Sequence, residues 1–186
     1  MDKTYSRRQF FRLIPRGAIG LVRDGRSEQS KYFRPPGAIE NDEDFIKTCE
    51  KCKLCADACP HKVIDHLDVQ AGEAENTPII TPDEKPCYWC PTMDCIKACP
   101  SGALSFGQDG GIAPIGRAEI DLSTCVTLQG ILCDFCANCC PTHIKAIVMI
   151  HRTPQVREEL CVGCGLCAYH CDSIPVSIKI VKDQTS

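Results

Sequence analysis

The sequence predicts an α+β chain made of four short repeats behind an extended basic arm. Three observations carry that expectation. Of 186 residues, 17 are Cys, and 16 of these fall into four groups of four. Each group is followed by a short apolar tail, β-branched in the last two. Charge is divided along the chain: residues 1–34 hold nine Lys or Arg against three Asp or Glu, whereas the rest, with every cysteine, is acidic. Cysteine at this density is far above ordinary usage. Aromatic residues are only 6%, with one Trp, so a core of large rings is not the main stabiliser. No apolar run approaches the roughly 18 residues of a transmembrane helix, and neither a glycine period nor sustained heptads occur.

The arm comes first. Ser6-Arg7-Arg8-Gln9-Phe10-Phe11-Arg12 matches the twin-arginine export pattern. The following stretch contains Pro15 and Arg16 and leads to no small-residue cleavage site. The expectation is therefore a retained arm, a cytoplasmic protein and peripheral contact with the inner membrane or a partner. Export to the periplasm through Arg7 and Arg8 is the alternative. Asp42–Asp44 ahead of Phe45 read as an acidic helix start.

The repeats follow. They are Cys49-x2-Cys52-x2-Cys55-x3-Cys59-Pro60, then Cys87-x2-Cys90-x4-Cys95-x3-Cys99-Pro100, then Cys125-x7-Cys133-x2-Cys136-x3-Cys140-Pro141, and Cys161-x2-Cys164-x2-Cys167-x3-Cys171. The x3 spacing fits one helical turn, and Pro after three of the four final cysteines ends that turn. The tails are residues 63–67, 103–106, 146–150 and 176–181. The last two read clearly as strands. Each unit is thus loop, short helix, turn and strand.

This spacing has a specific chemistry. In C-x2-C-x2-C an open loop directs three thiolates to three corners of an iron–sulfur cubane. The fourth cysteine, before Pro, ligates the other cluster of a two-cluster pair. Longer loops in the second and third repeats still deliver a thiolate to the same corner. Structural zinc more often takes two separated C-x2-C pairs, and disulfides need no such triads. Sixteen cysteines therefore imply four [4Fe-4S] clusters. Cys139 is left over, because Cys140 keeps the x3-Pro pattern. The histidines His61, His66, His143, His151 and His170 share no ligand spacing and read as surface residues. His61 and His143, close behind a final cysteine, are placed to hydrogen-bond cluster sulfur. No G-x-G-x-x-G, P-loop, G-x-S-x-G or H-E-x-x-H occurs, which points to an electron carrier rather than an enzyme. Nothing suggests nucleic acid. Four clusters of about −2 each deepen the formal net charge of −3 and favour cationic partner surfaces.

The chain resembles the MauM/NapG-type ferredoxin-type proteins of bacterial respiration, with the NapF type next. The resemblance rests on Arg34-Pro35-Pro36-Gly37-Ala38 ahead of the first repeat, on Cys95-Ile96-Lys97-Ala98-Cys99-Pro100-Ser101-Gly102-Ala103-Leu104, and on Leu128-Gln129-Gly130 with Cys133-Asp134-Phe135-Cys136. It implies electron transfer between a quinol-linked or other respiratory donor and an oxidoreductase partner, a membrane quinol dehydrogenase or a reductase subunit. It also implies a fold of two bacterial-type two-cluster ferredoxin modules. A maturation protein for a metalloenzyme, or an electron-transfer subunit of a larger reductase, are the other functions in view.

Repeats can pair in sequence, one with two and three with four, or nest. Similar four-cluster subunits of membrane oxidoreductases nest and also lengthen the inner groups. That likeness favours an arm over 1–38, a module from 39–84 with 155–186, and an inserted module over 85–154. The expected sites are then Cys49, Cys52, Cys55 with Cys171; Cys161, Cys164, Cys167 with Cys59; Cys87, Cys90, Cys95 with Cys140; and Cys125, Cys133, Cys136 with Cys99.

Overall fold

The computed structural model describes residues 32–182. Arg7, Arg8 and most of the basic arm lie outside the described residues. The arm ends earlier than expected from the sequence. Phe33 pairs with Ile80, Ala38 pairs with Leu104, and Pro35 and Pro36 are fully buried. Residues 33–38 therefore belong to the folded body. Their apolar side chains supply core that the cysteine-rich repeats lack.

Helix α1 (Asp42–Thr48) starts where the Asn41 side chain accepts the Asp44 N–H at 3.1 Å, a side-chain cap for an orphan donor. Three acids in its first turn and Lys47 in its last suit the helix dipole. Its Phe45 is completely buried. Four shorter helices each include a repeat's third cysteine: α2 (Leu54–Ala58), α3 (Asp94–Lys97), α4 (Phe135–Cys139) and α5 (Leu166–Tyr169). Helices this short are not stable alone; α2 packs on α3, and α4 on α5.

The strands come in antiparallel pairs. β1 (Asp65–His66) pairs with β2 (Pro78–Ile79), and β4 (Ile147–Ile150) with β5 (Thr153–Val156). β3 (Arg117–Ile120) pairs with β6 (Ile178–Val181), with Ala118 opposite Ile180. The β4 and β6 tails lie where their β-branched residues place them. β3 is a separate four-residue segment with no such run to mark it.

One order of elements occurs twice. A segment before the first repeat (Ala38) pairs with the tail after the second (Leu104), with the β1–β2 hairpin between the two repeats. Likewise β3, before the third repeat, pairs with β6 after the fourth, with the β4–β5 hairpin between them. This strand grouping differs from the nested division of 39–84 with 155–186 around 85–154. Neighbouring repeats, each pair joined by a hairpin, reach each other directly.

The two halves meet closely. Cys87 N–H donates to Cys164 O at 2.8 Å, and Ile115 N–H to Val162 O at 3.0 Å. Gly163 and Gly165 lie in this contact with φ of 65° and 86°; a Cβ on either would collide with the backbone of Gly116 or Pro82. These two positions require glycine both for backbone conformation and for space.

Candidate iron–sulfur sites

The sixteen patterned cysteines line four cavities, each holding a triad from one repeat and the final cysteine of its neighbour. Site A contains Cys49, Cys52, Cys55 and Cys99, around about 320 Å³ of space between protein atoms, partly open to solvent. Site B contains Cys87, Cys90, Cys95 and Cys59, around about 370 Å³. Site C contains Cys161, Cys164, Cys167 and Cys140, around about 300 Å³. Site D contains Cys125, Cys133, Cys136 and Cys171, around about 320 Å³. The exchanged cysteine thus comes from the adjacent repeat in all four cavities. In the nested expectation Cys171 and Cys59, and Cys140 and Cys99, were exchanged between other repeats.

Local backbone geometry explains how so short a loop surrounds a cavity. Lys51 and Trp89, two residues after the first cysteine, have φ of 56° and 45°. Lys53 and Met93, at the N-caps of α2 and α3, have φ of 66° and 43°. The fourth repeat has Gly163 and Gly165 at the matching places. A left-handed conformation costs an L-residue about 1–2 kcal/mol. That strain curls the loop so that backbone N–H groups face sulfur. Lys51 N–H donates to Cys49 Sγ and Trp89 N–H to Cys87 Sγ, both at 3.4 Å. Cys99, Cys140 and Cys161 accept from Leu104, Ala146 and Ala118 at 3.3–3.4 Å. Thr127 Oγ1 is 3.1 Å from Cys125 Sγ. Hydrogen bonds to cluster sulfur are a principal control on potential.

The donor set fits a cubane. Among the described residues no three His, Cys, Asp or Glu side chains are placed to hold a single metal ion. A cubane does not need that convergence, because each of its irons takes one protein thiolate. Burial pushes the Cys55 and Cys87 thiols up to about 12, and the Cys95, Cys136 and Cys164 thiols to about 11, with neighbouring thiolates adding to the rise. Cys167 is raised too, chiefly by burial. Thiols so placed stay protonated in the metal-free chain. Iron can displace those protons and offset the crowded negative charge. Burial also raises Cys49, while the Lys51 N–H and the Arg34 guanidinium pull it back.

Cys139 lies close to Cys136, Cys140, Cys164 and Cys167 without joining a cavity, and burial with those neighbours raises its thiol. Its thiol donates to Cys136 O at 3.5 Å, and it is not among the residues lining the four cavities. His61, beside site B, stacks on Tyr88 with ring centroids 3.8 Å apart. His143 Nε2 lies 3.1 Å from Trp89 O and so links the two halves of the chain; neither ring meets a sulfur in these contacts. Leu128, Ile131 and Leu132 expose apolar side chains on the segment leading to Cys133, as does Phe135 at the start of α4.

The contacts set an order. Sites A and B share repeats one and two, the Cys87–Cys164 bond joins B to C, and sites C and D share repeats three and four.

Comparison with known proteins agrees with this chemistry. The 4Fe-4S dicluster domain family matches residues 48–103, which are repeats one and two. The methylamine utilization ferredoxin-type protein MauM of Paracoccus denitrificans is 36% identical over 179 residues, covering 87% of this chain and 76% of that one. MauM of Methylorubrum extorquens is 32% identical over 177 residues, 88% of this chain and 78% of that one. The ferredoxin-type protein NapG of Escherichia coli is 32% identical over 197 residues, 94% and 85% of the two chains. No solved structure matches the chain.

Proposed function

Since the chain belongs to the MauM/NapG family of ferredoxin-type proteins, we propose that it is an electron-transfer polyferredoxin holding four [4Fe-4S] clusters. The observation that carries this reading is the four cavities, each with four cysteine sulfurs from two adjacent repeats. The proposed ligand sets are those of sites A to D. A [4Fe-4S] cluster, when bound, takes up and releases single electrons. The chain's own work is to fix four such sites in series, donate N–H groups to their sulfurs and exclude water from one side. The catalytic chemistry is assigned to a partner oxidoreductase. Cys139 is proposed as a half-buried non-ligand whose thiol caps the α4 carbonyl of Cys136.

A mediated redox titration followed by electron paramagnetic resonance tests this reading. It is expected to reach about four one-electron spins per chain on full reduction. A maximum of two, with all thiols intact, contradicts it.

Among the described residues no helix is long and apolar enough to cross a membrane. The arm, with eight Lys or Arg over residues 1–31, is proposed to dock on an anionic lipid surface or an acidic partner from the cytoplasmic side. Each basic residue near such a membrane contributes about 1 kcal/mol before screening. Deleting residues 1–30 is therefore expected to leave the iron content unchanged and to release the protein from membranes at lower salt. Fractionation with N-terminal sequencing checks it, and a shortened periplasmic product overturns the cytoplasmic assignment.

A further inference from the structure

Arg34 is a cation built into the wall behind site A. Its side chain is only 10% exposed. The guanidinium lies 4.6 Å over the Phe45 ring, and Nη1 donates to Pro78 O at 3.0 Å and to Thr77 Oγ1 at 2.8 Å. Phe45 and Pro78 both line the cavity formed by Cys49, Cys52, Cys55 and Cys99. Nη2 is buried and has no hydrogen-bond partner among the described residues. A buried guanidinium with an unused donor is costly, and two of its three hydrogen-bond acceptors, Thr77 and Pro78, carry no charge.

Among the described residues one half-exposed carboxylate and one further cation lie near Arg34. Asp42 Oδ1 meets Arg34 Nε at 2.6 Å, but the Asp42 side chain is 49% exposed, so water screens it more than its partner. Lys182 adds a second cation: its Nζ lies 5.3 Å over the Tyr32 ring, which the Arg34 guanidinium also faces at 5.6 Å. The other charges on the wall of site A, Glu50, Lys51 and Lys53, are exposed. Site B instead has the acidic Asp94 in its wall.

We propose that Arg34 tunes the redox potential of the cluster at site A, holding it above the value the same four thiolates would give without that charge. The inference rests on the assignment of a cluster to Cys49, Cys52, Cys55 and Cys99. Taking up one electron adds one negative charge to the site. A fixed buried cation stabilises the reduced form more than the oxidised one.

The test is a mediated redox titration of the full-length holoprotein, with dithionite as reductant, alongside iron analysis of the same samples. Arg34→Gln is expected to lower one of the four midpoint potentials by about 59 mV, a tenfold change for a one-electron couple, with the other three unchanged. Arg34→Lys, which keeps the charge, is expected to restore most of it. Four unmoved potentials at full iron content overturn the proposal, since a purely structural strut would leave them so. If Arg34→Gln loses iron, Asp42→Asn decides: removing the counter-charge must raise one potential, and an unmoved set overturns the proposal. An absence of four clusters in the unmodified protein strikes the ligand assignment instead.

Discussion

Removing iron from the anaerobic protein is expected to abolish its cooperative unfolding transition and most of its ordered circular dichroism. The elements are too short to persist alone: the repeat helices have four or five residues and the strands two to four. A costly nucleus makes such helices marginal in water. The fully buried side chains are few, Phe45 and Ile80 being the largest, and cysteines make up part of both buried clusters. Thiolate–metal binding supplies about 10–16 kcal/mol to small zinc domains, whereas whole domains are stable by about 5–15 kcal/mol. Losing the four proposed clusters therefore exceeds what the remaining core provides. The buried thiols, raised to about 11 or 12, reprotonate when iron leaves, so reassembly becomes less favourable as pH falls. A chelated protein that keeps a sharp, native-like thermal transition contradicts this expectation.

The second large effect separates the two pairing schemes. In the double variant Cys59→Ser/Cys95→Ser both lost thiolates belong to site B. It is expected to lose one cluster, about 4 of about 16 iron atoms, with the other three sites intact. Nested pairing would divide the same two losses between two clusters and give two three-iron centres. The reciprocal variant Cys59→Ser/Cys164→Ser inverts the contrast, since these cysteines lie in sites B and C but would share one nested cluster. Cys139→Ser is the internal control, expected to leave iron content unchanged, whereas Cys140→Ser damages site C. Iron analysis with paramagnetic resonance at the three-iron signal reads all four variants.

The chemistry of the chain was legible in the sequence because thiolate spacing is a local property. Cys49-x2-Cys52-x2-Cys55 forces a loop around a cubane whatever lies beyond it. The strands at Ile147–Ile150 and Ile178–Val181 were equally legible from their β-branched runs. Pairing was not, because Cys59 has the same spacing whether it turns toward Cys87 or toward Cys161. What decides it is nonlocal: Arg117–Ile120 pairs with the tail of the fourth repeat, and its four residues show no run long enough to mark a strand. The left-handed turns at Lys51, Lys53, Trp89 and Met93 were also hidden, since such conformations are normally signalled by glycine or asparagine. The fourth repeat does signal them, with Gly163 and Gly165. Arg34 read as one more basic residue of the arm, yet it is tied to Asp42, Thr77 and Pro78. Charge counting does not distinguish a solvated arginine from a buried one.

The measurement that bears most directly on the whole account is the iron and acid-labile sulfide content of protein prepared without oxygen. Four sites of four cysteines require about 16 iron and about 16 sulfide per chain. Zinc in place of iron, or a reproducible maximum near 8 iron with all thiols intact, contradicts it.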